Sequence, residues 1–201
     1  MYPAPSKSLH HELERWVGSR RRVRAREALR IIVGQPGAQA ALLLRVQMAL
    51  QAKERTGLAH AVSLLNLRMT GAEFLVGCRI GQGLVMRHPQ GIVVGHGAVV
   101  GEDCTILQGV TLGQRHLDGS DPEDGYPTLG ARVVVGAGAA ILGTVIVGDD
   151  AIIGANAVVL QDVDSHDVVV GVPARSARPE RKALPVREPL NSPDSSVEHN
   201  P

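Results

Sequence analysis

The sequence predicts a parallel β-helix solenoid preceded by a short α-helical region. Three observations carry the prediction. Twelve aliphatic or Met residues recur six apart with two interruptions: Ile80, Met86, Val94, Val100, Ile106, Leu112, Leu129, Val135, Ile141, Val147, Ile153 and Val159. Gly follows eight of them, as at Gly81, Gly95, Gly113 and Gly136. A small or aliphatic residue stands four positions on, as at Ala98, Cys104, Ala139, Ala151 and Ala157. A period of six is neither helical nor a strand alternation; it marks a hexad solenoid, each hexad one short strand and one turn. Three hexads close a triangular coil. Composition agrees: only Tyr2, Trp16, Phe74 and Tyr126 are aromatic, and a thin prism is filled by Val, Ile, Leu and Ala rather than rings.

The elements follow in order. Residues 1–71 read as a helical region. Leu9, Leu13, Trp16 and Val17 form a stripe behind Ser8, a candidate N-cap. Leu42, Val46, Ala49 and Leu50 form a second stripe, and Leu58, Ala61, Val62 and Leu65 a third, with Gly34-Gln35-Pro36-Gly37 and Gly57 as breaks. The basic run at 20–26 has no accompanying aromatics, so it reads as a solvated helix face rather than a nucleic-acid site. The solenoid spans 72–175. Two extra residues intrude between Met86 and Val94, and a longer loop, GQRHLDGSDPEDGYPT, is extruded between Leu112 and Leu129. A solenoid needs neither, and insertions confined to one region mark a binding face. Residues 176–201 carry five Pro and few apolar residues, the composition of a disordered tail.

Charge and composition exclude several classes. A formal net charge of +1 gives no polyanion signal. No stretch is long and apolar enough for a membrane span, and the N-terminus lacks a signal-peptide pattern, so a cytoplasmic protein is expected. Cys78 and Cys104 sit at inward hexad positions and read as small core residues.

His88 is the candidate general base. It lies in the first interruption, and an imidazole accepts a proton from a hydroxyl or amine near neutral pH. His116 lies among Asp118, Asp121, Glu123 and Asp124; a solvated acidic loop is the commoner meaning of such a run, and no metal is expected. His10, His11, His60, His166 and His199 read as surface residues.

The string from Ile80 to Gly95, IGQGLVMRHPQGIVVG, resembles the active-site coil of bacterial serine O-acetyltransferases. Ile106 to Gly113, ILQGVTLG, resembles the coil after it; Gly136 to Gly143 and Gly171 to Arg175 match later segments. The resemblance covers residues 72–175. It implies a left-handed coil, acetyl-CoA as co-substrate, and His88 as base for an acceptor that attacks the thioester directly. The carboxylate that orients the base falls fifteen residues earlier, at Glu73. Backbone N–H groups near Gly113 would stabilise the oxyanion. The cofactor arm would lie near Gly113, Gln114, Ala137 and Ala155. The resemblance further implies a homotrimer with sites between neighbours, and a hexamer as second choice.

The acceptor residues depart from the family pattern. Arg87 and His96 stand where the family places acids, and Gly125-Tyr126 where it places an Arg-His pair. These three positions, Arg87, His96 and Tyr126, are the expected substrate contacts, and their chemistry disfavours an ammonium. Three acceptors stay open: L-serine, an amine or hydrazine of an anionic small molecule, and a sugar hydroxyl. Rival readings are a zinc enzyme of the γ-carbonic anhydrase kind and a non-catalytic scaffold. The first needs three His ligands from neighbouring coils, and His88, His96 and His116 have the wrong spacing. The second lacks a reason for His88 and Glu73 at family spacing.

Overall fold

A computed structural model describes residues 5–17, 24–116 and 125–178. Four helices come first: α1 (Pro5–Val17), α2 (Ala25–Gly34), α3 (Pro36–Gln51) and α4 (Thr56–Thr70). Fourteen short strands follow: β1 (Glu73–Phe74), β2 (Arg79–Ile80), β3 (Val93–Val94), β4 (Val99–Val100), β5 (Thr105–Ile106), β6 (Thr111–Gly113), β7 (Thr128–Leu129), β8 (Val134–Val135), β9 (Ala140–Leu142), β10 (Ile146–Val147), β11 (Ile152–Ile153), β12 (Val158–Val159), β13 (Val168–Val170) and β14 (Arg175–Ser176). They form three sheets, β1-β3-β6-β9-β12, β2-β4-β7-β10 and β5-β8-β11-β13-β14. From β3 to β12 the chain visits the sheets in rotation, one strand in each, and every pairing is parallel except that of β13 with β14, which are consecutive in the third sheet.

The register follows the hexads. Val93 pairs with Thr111, Thr128 with Ile146 and Ala140 with Val158, each 18 residues on. Across the first interruption Glu73 pairs with Val93, 20 residues on. Across the extruded loop Thr111 pairs with Ala140, 29 residues on. Each insertion therefore lengthens one turn and leaves the strands in phase. The last coil is two residues short, Ile152 pairing with Val168. All twelve repeating apolar residues are buried to 2% exposure or less, and so are Ala98, Cys104, Ala139, Ala151 and Ala157. Each large aliphatic side chain so buried contributes about 1.5–3 kcal/mol.

The helices cap the open edge of the first coil. A terminal strand presents unpaired backbone groups. Here Gln47 Nε2 and Ser63 Oγ donate to the Phe74 carbonyl (2.9 and 2.6 Å), and Arg45 donates to the carbonyls of Ile80 (2.8 Å) and Gly81 (2.6 Å). Gly77 N donates to Gln51 Oε1 (3.1 Å), and Arg15 donates to the Gly83 and Cys104 carbonyls.

This capping corrects the predicted stripes. Val46, Leu58 and Leu65 are exposed, while the buried faces are Gly37, Ala38, Ala40, Ala41, Leu44, Arg45 and Gln47 on α3 and Ala59, Ser63, Asn66 and Thr70 on α4. Those faces combine small apolar residues and Leu44 with polar side chains that satisfy backbone carbonyls of the first coil. Ser8 lies inside α1 rather than capping it, and Gly57 lies in the first turn of α4, the break falling at residues 52–55. The chain also stays paired past Arg175, Ala177 N donating to Val168 O (2.7 Å). Of the basic run, residues 20–23 lie outside the described residues, as do 117–124 of the extruded loop and 179–201 of the tail. No helix among the described residues is long and apolar enough to cross a membrane.

Candidate active site

Between the third and first sheets the chain turns a corner in every coil, and backbone hydrogen bonds stack these corners into a ladder. Gly109 N donates to Gln90 O (3.0 Å), Gly138 N to Gln108 O (2.8 Å) and Asn156 N to Ala137 O (2.8 Å). His88 stands exposed on the first rung, with Arg87 exposed beside it. Pro89 is buried, and its carbonyl accepts from Ile92 N (3.2 Å), which fixes the turn. Ala137 and Ala155 lie on later rungs of this edge. The extra residues of the first interruption thus bulge His88 outward at the head of a corner lined by small residues.

His96, Gly113, Gln114 and Tyr126 gather at the next corner, between the first and second sheets. His96 follows β3, Gly113 ends β6, and the extruded loop leaves and rejoins the coil here. Tyr126 Oη donates to Gln114 Oε1 (3.1 Å). The Tyr126 ring lies across the Gly95-His96-Gly97 turn, where a Cβ on Gly95 or Gly97 would fall 2.2 or 2.5 Å from it. His96 Nδ1 donates to the Val76 carbonyl. A carbonyl only accepts, so Nδ1 carries a hydrogen. Gly77 permits this contact: its φ is +117°, and a Cβ there would lie 2.1 Å from His96 Nδ1.

Glu73 lies between the two corners on the outer face of the first sheet. With Leu75, Val76 and His96 it lines a cavity of about 230 Å³, covered by His60, Ser63 and Leu64 of α4. Among the described residues no side-chain hydrogen bond joins Glu73 to His88. The predicted residues therefore fall into two groups on one chain: His88, Arg87, Ala137 and Ala155 on one edge, and His96, Tyr126, Gly113 and Gln114 on the next, with Glu73 between. From the sequence alone His60 reads as a surface residue. No pattern within α4 marks it; only the packing of α4 over the first sheet brings it to the cavity. Trp16 reads from the sequence only as part of an apolar helical stripe; in the fold its ring carries Arg87.

Both cysteines are buried and free. Burial pushes the Cys78 thiol up to about 12 and the Cys104 thiol up to about 11, so neither is a nucleophile at neutral pH. Among the described residues no three His, Cys, Asp or Glu side chains converge on a possible metal position.

A family model described as bacterial transferase hexapeptide (six repeats) matches residues 126–161. The chain is 42% identical over 157 residues to a serine acetyltransferase of Helicobacter pylori, an alignment covering 78% of this chain and 90% of that protein. It is 42% identical over 153 residues to a serine acetyltransferase of Synechococcus elongatus, covering 75% of this chain and 61% of the longer relative. The fold superposes on a Neisseria gonorrhoeae serine acetyltransferase solved in complex with serine, with a TM-score of 0.76 at 32% identity over 87% of this chain and 69% of that one. A further serine acetyltransferase, solved in complex with CoA, matches with a TM-score of 0.71 at 31% identity over 87% and 70% of the two chains. Hexads in register, His88 at the head of a small-residue corner and this breadth of similarity agree: the chain belongs to the serine acetyltransferase family.

Proposed function

We propose that the protein transfers an acetyl group from acetyl-CoA to the hydroxyl or amine of a small acceptor, with His88 as general base. The observation that carries this reading is the placement of His88, exposed on the first rung of a corner whose later rungs hold Ala137 and Ala155. His88 removes the acceptor proton as the nucleophile attacks the thioester carbonyl. The tetrahedral intermediate then collapses with loss of the CoA thiolate, which takes that proton back from the imidazolium. Small residues leave room for the pantetheine arm, along Ala137 and Ala155 on this corner and Gly113 on the next. Glu73 supplies the negative charge that offsets the imidazolium. The coil winds left-handed, as in the family.

A site that uses both corners is completed between two copies of the chain. This supports a homotrimer, with a hexamer as second choice, and the third sheet offers a face for it: Val134 and Ile152 pair in register and both side chains are exposed. Light scattering at micromolar concentration tests assembly, a monomer being the contrary result.

The acceptor reading follows from Arg87, which stands beside His88 and favours an anionic group. An amine, hydrazine or hydroxy compound bearing a carboxylate is then acetylated better than L-serine. A thiol-release assay with acetyl-CoA across L-serine, hydrazinoacetate and a sugar alcohol decides the class. Saturable acetylation of L-serine with a KM in the common ~1 μM to 1 mM range would establish serine as the acceptor instead.

A further inference from the structure

Arg87 leans back onto the N-terminal helix. Its guanidinium carbon lies 5.7 Å from the centroid of the Trp16 ring, a separation at which an indole face holds a planar cation. The buried Trp16 N–H has no acceptor among the described residues, so the ring serves through its face rather than as a donor. Trp16 is itself gripped from behind. It abuts Gly37 of α3, where a Cβ would meet the ring at 2.7 Å and the Met86 carbonyl oxygen at 1.6 Å. Only glycine lets α1, α3 and the Met86-Arg87 backbone meet this closely. α1 is pinned along its length, by Glu12 to the buried Arg45 and by His11 Nε2 to Asp103 Oδ1 at 2.7 Å.

We propose that Trp16 is a positioning residue for Arg87: the indole holds the guanidinium beside His88, ready for the anionic group of the acceptor, and so makes the N-terminal helix part of acceptor selection. An Arg on an exposed turn otherwise samples many rotamers, and a held one loses less entropy on gripping a carboxylate. The proposal rests on the reading of His88 as base and of Arg87 as facing the acceptor.

The test compares kcat/KM for hydrazinoacetate with that for its uncharged isostere hydrazinoacetamide, in the wild type, Trp16→Leu, Trp16→Phe, Arg87→Leu and the Leu double variant. The preference for the anion falls by about two- to thirtyfold in Trp16→Leu. It is largely retained in Trp16→Phe, falls in Arg87→Leu, and falls no further in the double variant. Trp16 is the sole tryptophan, so its emission reports the contact directly. Arg87→Leu shifts it, and hydrazinoacetate perturbs it only when Arg87 is present. Any of four results overturns the proposal: full discrimination in Trp16→Leu, additive losses in the double variant, emission indifferent to Arg87→Leu, or a wild type whose emission and turnover ignore hydrazinoacetate. Failure of the base reading has a separate sign, His88→Ala releasing CoA at the wild-type rate with both compounds.

Discussion

Tyr126 donates its hydroxyl hydrogen to Gln114 Oε1 across 3.1 Å, joining the two ends of the extruded loop at the corner where it leaves the coil. The same Tyr ring covers Gly95 and Gly97. Tyr126→Phe removes only the hydrogen bond and lowers stability by about 1 kcal/mol. Gly97→Ala drives a methyl into the ring and costs roughly 1–3 kcal/mol as overpacking. In a Tyr126→Ala background the added methyl costs little further. Denaturant midpoints of the four variants check this, and additive losses in the Gly97→Ala/Tyr126→Ala protein would rule out the contact.

Arg45 is the keystone of the helical cap. It pairs with buried Glu12 while donating to two carbonyls of the first coil. Burial pushes the Glu12 carboxyl above the ordinary carboxylate range, opposed by the charge of Arg45. Arg45→Ala strands that carboxylate and orphans both carbonyls, so it destabilises by about 3–5 kcal/mol. Replacing the pair together, as Glu12→Leu with Arg45→Met, costs less than Arg45→Ala alone. Thermal or urea unfolding of the variants measures both, and a larger loss in the paired variant is the contrary outcome.

The hexads were legible because a solenoid repeats one local rule: an inward residue at a fixed period needs no knowledge of distant chain. Val94 and Val135 could be placed in the core from spacing alone. The helices broke that locality. Their buried faces answer to carbonyls of Phe74, Ile80 and Gly81, which the helix sequence does not display, so Leu58 and Leu65 looked inward and stand exposed. The site divides the same way. His88 was visible as an interruption of a period. The cavity shared by Glu73, His96 and His60 joins a strand, a turn and a helix, and no spacing connects them.

The thiols give a chemical test of the core. With Cys78 and Cys104 pushed up to about 12 and about 11, the folded protein resists an aromatic disulfide reagent at pH 8, and both thiols react once it is unfolded. The linkage has one sign. The folded state keeps both thiols neutral while the unfolded chain ionises them, so their contribution is complete below pH ~8.5 and is lost as pH rises through about 11 to 12. Rapid labelling of the native protein is the result that would contradict burial.

The proposed mechanism gives charge to Glu73 and proton transfer to His88, and one substitution separates them. Glu73→Gln keeps the shape of the cavity that it lines with His96 and His60 and removes the negative charge. Turnover drops by roughly tenfold, less than on loss of the base itself. Wild-type turnover in Glu73→Gln would assign Glu73 to packing alone.

The base assignment is tested most directly by the turnover of His88→Ala with saturating acetyl-CoA and the acceptor identified by thiol release. Turnover is expected to fall by about 10²–10⁴-fold, the range for a positioned general base. The affinity for acetyl-CoA stays within twofold, because the imidazole meets the acceptor rather than the cofactor. Wild-type turnover in His88→Ala would contradict the account.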